Sequence, residues 1–319
     1  MPPRRTAAPS HEGRRSRGTT RRPRAAWKDA LDELLDAVPA RGPRSAAQAT
    51  AAANQAVERI RRAYSTSCTI KSKLSTLKKE YAAARPDDVS TATALRPSAV
   101  ETRDCKRRQR ESVESRSDAL RRVDGGKLLR EARATLAAPR EAPNKYVLAL
   151  ALLAVTGRRT AEILNRRSAF RAVPQRPYVA LFSGQLKKKT DRAAAAYRIP
   201  LLAKRTAVIA ALRELRSRQQ QDVAQLSNKA VSRRYQSELG KYLHRCPAYA
   251  QAGWVHNLRG VYAIMCYHSI DWKVDAKPLL LLAVTRFLGN EAQHRAIAYT
   301  TFDVHNIGGA TLEPRRAPP

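Results

Sequence analysis

Tyr299 stands forty residues beyond Arg259, and Arg159 stands a hundred residues before it. His256 precedes Arg259 by three positions, which on a helix puts the two on one face. An arginine, then His-x-x-Arg, then a tyrosine is an order that suits covalent attack on a phosphodiester. That group is anionic, and attack on it builds further charge on the non-bridging oxygens of a pentacoordinate transition state. A guanidinium answers the need because it binds two such oxygens at once and stays charged. Arg159 is a candidate because it follows an apolar run at Gly157, and Arg259 because it shares a helical turn with His256. Tyr299 is the candidate nucleophile, since a phosphotyrosine conserves the energy of the broken bond for rejoining. A phenol ionises near pH ~10, so it needs the positive field of the arginines and a proton acceptor. His256 can hydrogen-bond the phosphate or move a proton. The leaving 5′ oxygen must be protonated in turn, and Lys187, Lys188 and Lys189 all qualify by position.

Taken singly, each of these residues has a plainer reading. Tyr299 after Ala296-Ile297-Ala298 also reads as an aromatic packed into a core, His256 as an ordinary histidine, and Lys187 as a solvated loop charge.

The composition bounds what such a site could act on. The 319 residues carry 61 Lys plus Arg against 27 Asp plus Glu, a formal net charge of +34. A polyanionic partner follows, because neutralising phosphates releases counterions; nucleic acid is favoured over a membrane surface. With 43% apolar residues the chain can build the cores of two modest domains. No stretch approaches the ~20 apolar residues of a membrane span, and Met1-Pro2-Pro3-Arg4-Arg5 lacks the apolar run of a signal peptide. A cytoplasmic protein is expected. Cys68, Cys105, Cys246 and Cys266 have no zinc-type spacing and read as reduced and mostly buried.

The elements that must position the candidates follow from periodicity. Residues 1–25 mix eight arginines with Pro, Gly, Ser and Thr, and read as a disordered basic arm. Leu31, Leu34, Leu35 and Val38 mark an amphipathic helix from Trp27 to Val38. From Ser45 to about Ala84, Val57, Ile60, Ile70, Leu74 and Leu77 predict one long helix or two in succession, ended before Pro86. A basic helix runs from about Val100 towards Ala137, with a turn at Asp124-Gly125-Gly126. Residues 26–139 would thus form a helical DNA-binding domain, with the boundary near Pro139 and Pro143. Tyr146–Val155 is apolar throughout, as a core helix is. Residues 178–183 and 196–201 pair as strands around a lysine-bearing loop. Helices are expected at about 203–222, 227–241, 255–267 and 278–288, with Ser227 as an N-cap. A catalytic domain of residues 140–305 and a flexible tail of 306–319 complete the division.

The wording around the candidates resembles the tyrosine recombinase superfamily, and within it the telomere resolvases, or protelomerases. Thr156-Gly157-Arg158-Arg159-Thr160-Ala161-Glu162-Ile163 resembles the first arginine box, and Phe182-Ser183-Gly184-Gln185-Leu186-Lys187 the hairpin with the catalytic lysine. His256-Asn257-Leu258-Arg259-Gly260-Val261-Tyr262-Ala263 resembles the second box, and Phe287-Leu288-Gly289-Asn290 through Tyr299-Thr300-Thr301-Phe302 the nucleophile box. The four cover about residues 140–305. The double arginine, the Ser-Gly-Gln-x-Lys hairpin and the long Arg259-to-Tyr299 interval point to the resolvases. There are departures: Asn290 stands where the superfamily usually has His or Trp, and His256 stands where resolvases can carry lysine. Asn290 can donate to the phosphate or, with Gln293 three residues on, cap a helix; His294 is an alternative source of the imidazole.

The resemblance implies a mainly α catalytic domain with a small antiparallel sheet (α+β), preceded by a helical domain, the two clamping duplex DNA. It implies Tyr299 as nucleophile, Arg159, Arg259 and His256 on the phosphate with Asn290 in support, and Lys187 as general acid. No cofactor or metal is implied. The substrate would be an inverted repeat held by a homodimer, resolved into covalently closed hairpin ends on a linear replicon. A site-specific integrase with the same residues, and a non-catalytic basic DNA-binding protein, are the alternatives.

Overall fold

A computed structural model describes residues 25–38, 46–118, 120–165, 168–186, 196–219, 223, 225–269, 280–288 and 299–307. The basic arm, Lys187–Lys189, Asn290, His294 and the tail beyond residue 307 lie outside the described residues. The chain divides into two compact units, Met1–Arg110 and Glu111–Pro319.

The first unit holds α1 (Ala26–Ala37), α2 (Ala46–Ala63), α3 (Ser67–Ala84), α4 (Val89–Ala94) and the start of α5 (Ala99–Asp118). Leu34, Val57, Ile60, Leu74, Leu77 and Tyr81 form its core, as their three- and four-residue spacing requires. The Ser45–Ala84 stretch is two helices, because the Thr66 hydroxyl accepts from the Thr69 amide and starts α3 anew. Arg61 donates to Glu101 at 2.8 Å, which ties α5 to α2.

Near residue 125 the structure departs from expectation. Arg121–Asp124 form strand β1, and the Asp124 carboxylate accepts from the Lys127 amide at 2.8 Å. Gly125-Gly126 therefore begin α6 (Gly125–Ala137) rather than a turn. Leu128, Leu129, Ala132 and Leu136 of α6 are buried in the core of the second unit. The compact units thus divide at Arg110 and Glu111, ahead of the boundary expected near Pro139.

The second unit is built around α7 (Lys145–Thr156), whose residues 148–156 are all buried. Asn144 caps it by accepting from the amides of Tyr146 and Val147. After α8 (Thr160–Leu164) comes an antiparallel sheet of β2 (Ala169–Ala172), β3 (Val179–Ser183) and β4 (Tyr197–Pro200), in that order. Strand β2, Ala-Phe-Arg-Ala, has no β-branched residue to mark it. Then follow α9 (Arg205–Ser217), α10 (Asn228–Arg245, capped by Ser227), α11 (Pro247–Ala250), a 3-10 turn at Val255–Asn257, α12 (Leu258–Ser269) and α13 (Leu280–Leu288). The last strand, β5 (Phe302–His305), pairs in parallel with β1, Arg121 opposite Phe302 and Asp124 opposite His305. The architecture is mainly α with a small antiparallel sheet, as expected, plus this parallel pair.

Candidate active site

The first arginine box is set by a glycine. Gly157 ends α7 at φ 60°, and a β-carbon there would collide with the ring of Tyr262 in α12. Both the left-handed backbone and the close approach exclude any other residue. The chain then turns so that two adjacent arginines separate. Arg158 is buried, and Arg159 keeps 17% of its side chain exposed.

Glu162, three residues on, organises the turn. Its carboxylate accepts from the Arg159 backbone amide at 2.9 Å, from Arg159 Nη1 at 2.8 Å and from the Leu186 amide at 3.0 Å. Arg159 Nη1 also donates to the Leu186 carbonyl at 3.0 Å. Lys187 follows directly, so the root of the lysine loop is bound to the arginine turn. Burial alone would push the Glu162 carboxyl up, but the guanidinium charges of Arg158, Arg259 and Arg159 hold it below the usual carboxylate range.

Arg259 is buried in the first turn of α12 and donates to the Gly157 carbonyl and, at 2.7 Å, to the Leu288 carbonyl. Those bonds join the second box to the first and to the end of α13. Its Nε is buried without a hydrogen-bond partner. Burial, and then the neighbouring Arg158, bring the Arg259 guanidinium down to about 10, still a cation at neutral pH. The cluster thus sets three guanidiniums against one carboxylate in a medium of low dielectric, where an anion is the complementary ligand.

Tyr299 approaches this cluster over Gly260. A β-carbon at Gly260 would meet the Phe302 ring at 2.7 Å and the Tyr299 carbonyl at 3.0 Å, so glycine lets the Tyr299–Phe302 segment lie against α12. Downstream, the β1–β5 pair anchors the same segment, with the Arg121 amide donating to the Thr301 carbonyl at 3.3 Å. Tyr299 is half-buried against the core, and its hydroxyl lies 3.2 Å from Nε2 of His256. The Arg259 guanidinium carbon stands 5.6 Å from the Tyr299 ring centre. His256 is exposed on the 3-10 turn before α12.

Of the residues expected in the site, Arg159, His256, Arg259 and Tyr299 are brought together, directly or through Glu162 and Gly157. Lys187 and Asn290 lie outside the described residues. Glu162, Arg158 and Gln185 were not singled out from the sequence. Glu162 carried a usable signal in its i+3 spacing from Arg159. Arg158 and Gln185 entered only as wording of the double arginine and the hairpin, and no spacing gave their roles, because their partners, the carbonyls of Phe287 and Leu288, are more than a hundred residues away.

Residues 119–301, more than half of the chain, match the family model of the telomere resolvase ResT/TelK catalytic domain, and the chain belongs to that family. No curated protein matches it in sequence. Among solved structures, a point variant of protelomerase TelA covalently complexed with substrate DNA superposes with a TM-score of 0.74 at 18% identity, covering 92% of this chain and 91% of that one. Another TelA variant, complexed with a DNA hairpin product, gives 0.72 at 17% identity over 87% and 88%. Protelomerase TelK complexed with substrate DNA gives 0.59 at 17%, with 92% of this chain and 61% of that one covered.

Proposed function

We propose that Tyr299 is the nucleophile of a telomere resolvase, an enzyme that cuts and rejoins DNA to leave covalently closed hairpin ends. The observation that carries this reading is the Tyr299 hydroxyl on Nε2 of His256 at 3.2 Å, beside the buried and partly unsatisfied Arg259. With its proton on Nδ1, His256 presents Nε2 as the acceptor for the phenolic proton. The phenolate oxygen then bonds to phosphorus, the bond from phosphorus to the 5′ oxygen breaks, and a 3′-phosphotyrosine remains. Arg259 through the field of its buried charge, and Arg159 through its more exposed guanidinium, stabilise the added charge on the non-bridging oxygens. A lysine among Lys187–Lys189 protonates the 5′ oxygen, and Asn290 or His294 supports the phosphate.

Hairpin closure is the second half of the reaction. Each freed 5′ hydroxyl attacks the phosphotyrosine on its own side, so the tyrosine leaves and the strand is sealed to its complement. Two subunits on an inverted repeat, acting in the cytoplasm, are the working unit. The net charge of +34 supplies the non-specific grip on the duplex.

The test is incubation with duplex bearing the inverted repeat of the parent replicon's ends, read on denaturing gels. A covalent protein–DNA adduct and snap-back hairpins are expected, and Tyr299→Phe should remove both. Recombined circles in place of hairpins would show an integrase, and no adduct on cognate DNA would show a binding protein.

A further inference from the structure

Two of the four cysteines meet in the first unit. Cys68 lies in the first turn of α3 and Cys105 on α5, and the Cys68 thiol donates to the Cys105 sulfur at 2.6 Å. Cys105 is buried, at 3% exposure, whereas Cys68 is half-buried. The pair therefore has one sulfur open to a small solute and one behind it. A disulfide bond is ~2.05 Å long, so closing it would draw the sulfurs together by only about half an ångström. The hydrogen bond to Cys105, and then burial, raise the Cys68 thiol, while the charges of Arg108 and Lys71 pull the other way. The resting pair is thus a dithiol.

The helix that carries Cys105 is held differently from its neighbours. Among the described residues, α5 adds no side chain to the apolar core that Leu34, Ile60, Leu74 and Leu77 build beneath α1, α2 and α3. Polar contacts tie it down instead: Arg61 of α2 on Glu101, and the Ser67 hydroxyl of α3 on Asp104 at 3.2 Å. Ser67 and Asp104 are the residues next to Cys68 and Cys105, so the two sulfurs meet where α5 touches α3. Just beyond, Lys106, Arg107, Arg108 and Arg110 are all exposed. Partly exposed ion pairs weaken as salt screens them. A covalent bond at the same place would not.

We propose that Cys68 and Cys105 are a redox modification site: hydrogen peroxide converts them to an intramolecular disulfide that pins α5 to α3. The Cys68 thiolate attacks one peroxide oxygen, the oxygen–oxygen bond breaks, and a sulfenic acid and one water result. The Cys105 sulfur then attacks the Cys68 sulfur, the sulfur–oxygen bond breaks, and the hydroxyl leaves as a second water with the Cys105 proton. Two electrons pass from the sulfurs to the peroxide. A thiol reductant reopens the bond by exchange. The site is separate from the chemistry proposed for Tyr299 and does not depend on it.

The test uses the full chain, reduced, freed of reductant and treated with hydrogen peroxide. Digestion without reduction, read by mass spectrometry, should yield a peptide pair joined through Cys68 and Cys105, two hydrogens lighter than the separate thiol peptides, and a dithiol should separate it. Cys105→Ala should abolish the joined pair and leave a Cys68 sulfenic acid that dimedone traps. Cys68→Ser should abolish both products, and its partly exposed position lets it serve where Cys105→Ala does not fold. Hydrogen exchange in about 1 M salt reads the consequence: amides of α5 should exchange roughly tenfold more slowly in the oxidised protein than in the reduced one. In either variant, peroxide should leave that exchange unchanged. Sulfinic acid on Cys68 with Cys105 untouched, or a disulfide to Cys246 or between two chains as the main product, would overturn the site. A joined pair with no slowing of α5 exchange would overturn the pinning.

Discussion

Arg259 is 2% exposed, with both terminal amines on backbone carbonyls, whereas His256, three residues earlier, is exposed and meets Tyr299 through a ring nitrogen. The floor of the site, made of Arg158, Arg259 and Glu162, is fixed in a low-dielectric core. The rim, made of the exposed His256 and the half-buried Tyr299, is open to solvent. Charge that must stabilise a transition state gains most from being dry and already oriented, because no reorganisation is then needed as the reaction proceeds. Groups that trade protons and form bonds must stay accessible. One helical turn spans both regimes because no residue of the 3-10 turn at Val255–Asn257 is buried, while Leu258 begins the buried run of α12.

Substitutions at the two levels should separate accordingly. Arg259→Ala removes transition-state charge and strands the Gly157 and Leu288 carbonyls, so adduct formation should fall by roughly 10³-fold or more together with the melting temperature. Arg259→Lys should recover little, since an ammonium lacks the planar fork that spans the Gly157 and Leu288 carbonyls. His256→Gln should slow adduct formation by roughly 10²-fold while the melting temperature stays within a degree or so, because the side chain is exposed. A large loss of stability there would place His256 with the floor instead.

Glu162→Gln sharpens the comparison from the stability side. Its carboxyl is held below the usual range in the folded protein. The charge thus contributes stability above the unfolded pKa near ~4.3, and that contribution is lost as pH falls through the lower folded value. Replacing it leaves buried guanidiniums uncompensated, so denaturant unfolding at neutral pH should show a loss of about 3 kcal/mol. The gap between wild type and variant should narrow as the pH is taken below about 4. A gap that does not change with pH would mean that Glu162 acts through its shape and hydrogen bonds alone. Its effect on the rate of adduct formation should be the smallest of the three, roughly tenfold, because Arg159 loses a tether and keeps its charge.

The helices were legible wherever an apolar face repeats, as in Leu31, Leu34 and Val38 of α1 or the wholly apolar α7. So were Ser227 as a cap and the pairing of β3 with β4, because both signals are local. The β1–β5 pair was not. Arg121-Arg122-Val123-Asp124 reads as a polar basic stretch, and its partner lies about 180 residues away. That pair is nevertheless what holds the chain three residues beyond Tyr299.

The sequence by itself pointed to the candidate groups of the site, because box wording and residue chemistry are carried by short runs: Arg159 after Gly157, Arg259 after His256, and Tyr299. It also pointed to an anionic partner, since a net charge of +34 favours binding that releases counterions. Only the tertiary structure decided which of the paired arginines is buried, how Glu162 ties the first box to the lysine loop, and that the carbonyls of Phe287 and Leu288 receive Arg158 and Arg259. The reason is physical. A buried charge takes its partners from whatever backbone the fold brings within about 3 Å, and no spacing rule in a linear chain records that encounter.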